Sequence, residues 1–287
     1  MSLTPAAAVD DILTRALAED APWGDLTSEA FLPEGARARA ALVAREPGVA
    51  SGLTVFARTF TLLDPAAVVD PHAADGDRFA GGDVLAVVDG DARAVLRAER
   101  VGLNLVQRLS GVATATARYV EAVTGTRARV VDTRKTTPGL RVLERAAVRD
   151  GGGHNHRYSL SDAVLAKDNH LAVLAAQGVS VGDAIRAARA RLPHTATIEV
   201  EVDRLDQVEE VVAAGVTTIM LDNFSLADLR AGVAQVAGRA IVEASGGITL
   251  DTVGEVARTG VDVISVGALT HGVRSLDLGL DIATDAV

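Results

Sequence analysis

TIEVEVDRLDQVEEVVAAGVTTIMLDN, residues 197–223, holds a complete strand–helix–strand unit. Ile198, Val200 and Val202 alternate with Glu199 and Glu201, so the two carboxylates share one face of a strand. LDQVEEVVAAG follows with apolar residues at helical spacing, and TTIMLDN is a second short apolar run, closed by Asp222-Asn223. The same rhythm continues in both directions. Upstream lie RVVDT with PGLRVLERAAVRD and AVLAKDN with VGDAIRAARARL; downstream lie AIVEASGG with LDTVGEVARTG, and then DVISVGA. Repeated strand–helix units predict a parallel sheet, either a barrel or a doubly wound sheet. No GxGxxG follows the first of these strands, which counts against a dinucleotide-binding sheet.

The ends of the strands favour the barrel. They read Asp132-Thr133-Arg134-Lys135, Lys167-Asp168-Asn169-His170, Glu199 with Glu201, Asp222-Asn223, Ser245-Gly246-Gly247 and Ser265-Val266-Gly267. In a parallel barrel the carboxyl ends of all strands share one rim, and active sites are built there.

Residues 1 to about 110 have a different texture. A helical stretch from Asp10 to Glu19 leads into short apolar segments around the turn Glu46-Pro47-Gly48, and GDRFAGGDVLAVVDGDARAVL adds further short strands between Gly/Asp turns. This predicts a compact antiparallel sheet with helices. GGDVLAVVDG is similar to a lipoyl-carrier hairpin, but it has no lysine to modify and is read as structural. A long helix is predicted over Glu99–Val123, ahead of the barrel.

Composition removes whole classes of function. The absence of Cys excludes disulfides, thiolate metal sites and cysteine nucleophiles, and suits a reducing cytoplasm. No apolar run reaches the ~18 residues a bilayer demands. The start, MSLTPAAAVDDILTRALAED, is acidic and amphipathic, and reads as neither a signal peptide nor an anchor. A net charge of −10 argues against a general nucleic-acid surface. A basic cluster inside such a protein points to a small anionic ligand.

Of 28 basic side chains only two are lysines, Lys135 and Lys167. Where a chain otherwise uses Arg, a retained Lys marks a place that needs a compact point charge on a thin stem. Such a charge suits phosphate oxygens, whereas the planar fork of Arg134 suits a carboxylate. The bland alternative is a solvated basic turn. GGGHNHRYSLSDAVLAKDNH, residues 151–170, brings a glycine loop, His154, His156, Arg157 and Lys167 together. A zinc pair is disfavoured by the neighbouring cations and the lack of a third soft ligand. An anion site fits better. Glu201 lies nearer the rim than Glu199, and with Asp222 it suits either Mg2+ or the hydroxyls of a sugar. Salt bridges to the rim bases are the competing expectation, more for Glu199 than for Glu201 and Asp222. Ser245-Gly246-Gly247 and Gly267 offer backbone donors for a phosphate. A phosphorylated sugar and an acidic co-substrate satisfy the set.

DTRKTTPGLR, GGGHNHRYSLSDAVLAKDNH, EVEV, MLDNF, EASGGI and VGALTH, in that order, resemble the quinolinate phosphoribosyltransferase family, and EDAPWGDLTSE and ERVGLNLVQRLSGVAT extend the resemblance to the first part of the chain. The resemblance implies an incomplete seven-stranded parallel α/β barrel over 111–272. It also implies an N-terminal α+β open-faced sandwich over 1–110, rejoined by the tail 273–287. The implied reaction joins quinolinate to phosphoribosyl pyrophosphate with Mg2+ and releases pyrophosphate and CO2. Position by position, Arg134, His156, Arg157 and Lys167 match the quinolinate pocket. Arg100 matches an arginine delivered by the neighbouring subunit of a homodimer or larger homo-oligomer. Lys135, Glu201 and Asp222 match the donor contacts, with Lys135, Lys167, Glu201 and Asp222 as the catalytic group and Glu201 and Asp222 bearing on Mg2+, directly or indirectly. Ser245, Gly246, Gly247, Gly267 and His271 match the phosphate end of the donor. Neither nucleic acid nor membrane is an expected partner. The rival readings are a molybdenum-transport-associated homologue, a nicotinate-specific transferase and a non-catalytic anion sensor. The full HNHR…KDNH run, the number of arginines and the intact Glu201 and Asp222 count against them in turn.

Overall fold

A computed structural model of the chain describes residues 5–282; residues 1–4 and the end of the expected tail, 283–287, lie outside the described residues. Ten strands make the two main sheets: β1 (Arg37–Ala44), β2 (Val68–Pro71), β3 (Val84–Asp91), β4 (Arg129–Val131), β5 (Val164–Ala166), β6 (Ile198–Val202), β7 (Thr218–Asp222), β8 (Ile241–Ser245), β9 (Val263–Ser265) and β10 (Leu278–Ile282). The chain divides into two compact units. One comprises Met1–Ala117, Thr136–Gly152 and Leu269–Val287, and the other Arg118–Lys135 and Gly153–Ala268.

The first unit is built on an antiparallel sheet of order β10-β1-β3-β2. Along β1 the inward positions Ala38, Ala40, Leu42 and Ala44 are buried, as alternation demands of a sheet covered on one face. Helix Leu53–Leu63 contributes Phe56 and Phe60, packed edge to face at 4.8 Å, to the same core as Leu42, Leu85 and Val88. β10 pairs with β1 from Ala40↔Ile282 to Ala44↔Leu278. The long helix runs from Ala92 to Ala122 and so starts earlier than the predicted Glu99. Asp91 explains the difference: its Oδ1 accepts the Ala94 N–H at 3.0 Å, a side-chain cap that turns ARAVL into the first helical turn rather than a strand. Helix Arg141–Asp150, the first helix after a parallel strand, also belongs to this unit.

The second unit is a parallel sheet of order β4-β9-β8-β7-β6-β5. From β5 to β9 neighbours in space are neighbours in sequence, the first strand, β4, closes against the last, β9, and the seam falls between β4 and β5. That is the order of an incomplete barrel. Six strands are seen among the described residues, against the seven implied by the resemblance. The missing one is reduced to a single parallel bridge, Val131↔His154. Pairing stops there because three glycines precede it, while the next N–H, that of His156, is taken by the Asp132 carboxylate at 2.7 Å. Lys167 stands just past β5, at the N-cap of an unexpected helix, Asp168–Ala176. Among the described residues no single helix is long and apolar enough to cross a membrane.

Candidate active site

Strand register places the chemistry-bearing side chains on one face of the parallel sheet. Glu201 of β6 is level with Met220 of β7, and Met220 with Glu243 of β8; Asp222 is level with Ser245. Glu199 and Leu165 are paired one pleat deeper, and Lys167 follows Leu165 at the period of two that keeps a side chain on the same face.

The cations gather at the carboxyl ends of β4 and β5. Arg134 and Lys135 are exposed just after β4, and Lys135 N–H is held by Thr133 Oγ1 at 3.0 Å. Arg157 gives Nη1–H to the Ala163 carbonyl at 2.9 Å. Burial, and to a lesser extent the charge of Arg134, pulls the Arg157 guanidinium below its usual pKa. Lys167 Nζ is ion-paired with Glu201 Oε2.

Beneath this rim lies a buried group that the sequence only half reveals. His156 Nε2 is 3.2 Å from Glu199 Oε2 and 3.5 Å from Glu243 Oε2. Glu199 is 8% and Glu243 3% exposed. For Glu199 the pairing with a base, the competing expectation, is what the structure contains. Burial disfavours a charge on the His156 ring, but the bonds to the two carboxylates outweigh it and push its pKa up to about 10. The Arg157 N–H, 2.8 Å from Nδ1, opposes a second proton there, so the proton held most firmly is the one on Nε2, between the carboxylates. Burial pushes the Glu199 carboxyl up. Asp132, fully buried, secures the same loop by accepting from Asn155 Nδ2 at 2.6 Å and from the His156 N–H.

At the other side of the rim, Asp222 accepts from Asn223 Nδ2 at 2.6 Å. Asn223 is left-handed, with φ 58°, and its N–H bonds the Ser245 carbonyl at 2.9 Å. Gly246 packs so closely here that a Cβ would lie 2.3 Å from Asn223 Oδ1, and its φ of 92° also favours glycine. Ser245, Gly246, Gly247 and Gly267 thus lie with Asp222 in one unit. Ser265, at the end of β9 and one of the strand-end residues read from the sequence, is buried with its hydroxyl unpartnered. Arg100 and His271 belong to the other unit; Arg100 is exposed on the long helix, beside Arg15, Asn104 and Leu140.

Glu201 and Asp222 offer oxygen ligands only, at the ends of adjacent strands, and fit a hard cation such as Mg2+. The ligand atoms of His156, Glu199 and Glu243 lie within 4.8 Å of one another and also form a group able to hold a metal ion. Its nitrogen ligand makes it the poorer match for Mg2+.

Clustered arginines and lysines, carboxylates at neighbouring strand ends and a glycine-rich loop on one barrel rim define a protein that handles phosphorylated and carboxylated small molecules. Comparison with known proteins narrows the class. The family model for the quinolinate phosphoribosyl transferase C-terminal domain matches residues 112–281, and that for the N-terminal domain matches 25–110. The chain belongs to the quinolinate phosphoribosyltransferase family. It is 45% identical over 284 residues to the nicotinate-nucleotide pyrophosphorylase [carboxylating] of Mycobacterium leprae, covering 96% of this chain and 97% of that one. It is 42% identical over 271 residues to the probable enzyme of the same name from Bacillus subtilis, covering 94% and 92%. The crystal structure of NadC from Streptococcus pyogenes superposes with a TM-score of 0.92 at 44% identity, covering 97% and 98%.

Proposed function

We propose that the chain transfers the phosphoribosyl group of phosphoribosyl pyrophosphate to quinolinate, with loss of CO2, to give nicotinate mononucleotide and pyrophosphate for NAD biosynthesis. The observation that carries this reading is the gathering of Arg134, Lys135, Arg157 and Lys167 at the carboxyl ends of β4 and β5, on a rim that also presents Glu201 and Asp222. Several cations gathered at one rim call for an anion with more than one negative group, and quinolinate carries two adjacent carboxylates. The full-length relatives support the same reading through their names.

Arg134, Arg157 and Lys167, with His156, form the quinolinate pocket. Lys135, Glu201 and Asp222 hold the donor, and Ser245, Gly246, Gly247 and Gly267, with His271, receive its 5′-phosphate. Arg100 reaches the pocket of a neighbouring subunit in a homodimer or larger homo-oligomer. Mg2+, held by Glu201 and Asp222 directly or through water, neutralises pyrophosphate charge when bound. As pyrophosphate leaves with the C1–O electron pair, positive charge develops on the ribose, which Glu201 and Asp222 stabilise while Lys135 steadies the leaving group. The pyridine nitrogen donates its lone pair to C1. The ring, now a pyridinium, can accept the electron pair that CO2 leaves at C2, and a proton then takes that pair. Decarboxylation therefore follows transfer. We place the protein in the cytoplasm, in keeping with a cysteine-free chain, and keep the functional division at residues 1–110 and 111–272, with the tail from 273 returning to the first part.

Incubation with phosphoribosyl pyrophosphate, Mg2+ and quinolinate should release pyrophosphate and CO2 in equal amounts, with nicotinate a poor substitute. Release of neither product, or equal use of nicotinate, would overturn the assignment. Free nicotinate appearing before nucleotide would reverse the order of steps.

A further inference from the structure

Two carboxylates in the heart of a sheet need a reason. A buried ion pair or triad is a poor device for stability, because removing charges from water costs what their attraction returns, and apolar residues of the same size serve as well. Glu199 and Glu243 are also incompletely satisfied, since Oε1 of each is buried without a hydrogen-bond partner. They sit directly below a site for an anion, where their charge opposes binding. What they do achieve is geometric. Both converge on His156 Nε2, from β6 on one side and β8 on the other. His156 Nδ1 in turn accepts the N–H of Arg157. Asp132 fixes the backbone of the same loop through the His156 N–H and Asn155. The short path from the barrel interior to Arg157 is thus clamped at the ring and at the backbone, and the guanidinium is held in turn by the Ala163 carbonyl.

We propose that Glu199 and Glu243 are positioning residues for substrate recognition: gripping the His156 ring between β6 and β8, they fix the loop that sets Arg157 to receive a carboxylate of the substrate. The inference rests on the functional reading above. With Nε2 facing the carboxylates and Nδ1 facing the Arg157 N–H, His156 is the link in this clamp as well as a member of the pocket. Neither glutamate touches substrate; each acts through the ring.

The test uses the full-length protein with Glu243→Gln, Glu243→Leu, Glu199→Gln and His156→Ala. Gln keeps the volume and one acceptor oxygen for Nε2–H, so Glu243→Gln and Glu199→Gln should fold and raise the quinolinate KM a few-fold. Glu243→Leu should raise it about tenfold, the loss expected of one charge-assisted hydrogen bond. In all three, kcat at saturation and the KM for phosphoribosyl pyrophosphate should change less than about twofold. In a His156→Ala background Glu243→Leu should add almost nothing, because its effect passes through the ring. A merely structural role would lower kcat and both KM values together, or add in full to His156→Ala. Either result would overturn the proposal, and so would an unchanged quinolinate KM in all the glutamate variants. Stoichiometric metal in purified protein that Glu243→Gln abolishes would overturn it too, in favour of a cation site at these three residues. Calorimetric binding separates the two levels of failure. Wild-type protein that does not bind quinolinate sinks the functional reading, whereas wild-type binding that the glutamate variants retain unchanged sinks only the clamp.

Discussion

Lys167, just past the end of β5, is ion-paired with Glu201 near the end of β6, the ammonium 44% exposed and the carboxylate 11%. The family resemblance assigns these two side chains to different substrates, Lys167 to quinolinate and Glu201 to the donor. On the proposed assignment, their contact would lie where the two substrates meet and the pyridine nitrogen reaches C1.

A pair shared in this way should behave as one unit. Lys167→Met and Glu201→Gln should each weaken binding of both substrates, and the double variant should lose less than the sum by about 1 kcal/mol. A double-mutant cycle on the two dissociation constants measures this. Strict additivity would mean that the pair works independently on each substrate.

Lys135→Arg keeps the charge and should still impair the enzyme, since a guanidinium fork does not fill a point-charge site. Steady-state kinetics should register a higher KM for phosphoribosyl pyrophosphate and a fall in kcat/KM of about tenfold, or about 1.4 kcal/mol. Wild-type kinetics would mean that the scarcity of lysine in this chain carries no functional information.

The proposed role of Arg100 would make assembly part of catalysis. Arg100→Ala should cost about 1.5–3 kcal/mol of quinolinate binding and leave donor binding nearly intact. Mixed with inactive Arg134→Ala protein under conditions of verified subunit exchange, it should regain activity, because one pocket of each mixed dimer is then intact. A mixture that stays inactive would remove Arg100 from the neighbour's site.

Acid should loosen the first unit at a known point. Glu46 accepts both guanidinium nitrogens of Arg274 and the Asp277 N–H, and these bonds, outweighing a small effect of burial, lower its pKa from 4.5 to about 2. A carboxylate depressed in the folded state stabilises above its unfolded value, and that stabilisation fades as pH falls from about 5 towards 2. Arg274 is 70% exposed, so screening trims the effect. Glu46→Gln should lower Tm at pH 7 by about 2–4 °C and leave it nearly unchanged near pH 2. Thermal melts across that range check both ends.

Much of the rim could be read from the chain because polar residues there interrupt apolar runs. Arg134, Lys135, Lys167 and Asp222 all stand where a strand stops. Glu199 and Glu201 mark their own face by recurring at a period of two. Glu243 has no such marker: a lone acid inside AIVEAS reads like any half-exposed strand residue, and its partner His156 comes from a distant loop. The start of the long helix at Ala92 was hidden in the same way, since it depends on one side-chain cap rather than on the apolar pattern. Helix Asp168–Ala176 has no buried residue, so it carries none of the periodicity that identifies its neighbours.

The chain passes between the two compact units four times, after Ala117, Lys135, Gly152 and Ala268. A gene cut at any of these four crossings therefore divides the first unit between two products. Shuffling of halves, so productive for proteins strung together like beads, has no seam here that spares the first unit.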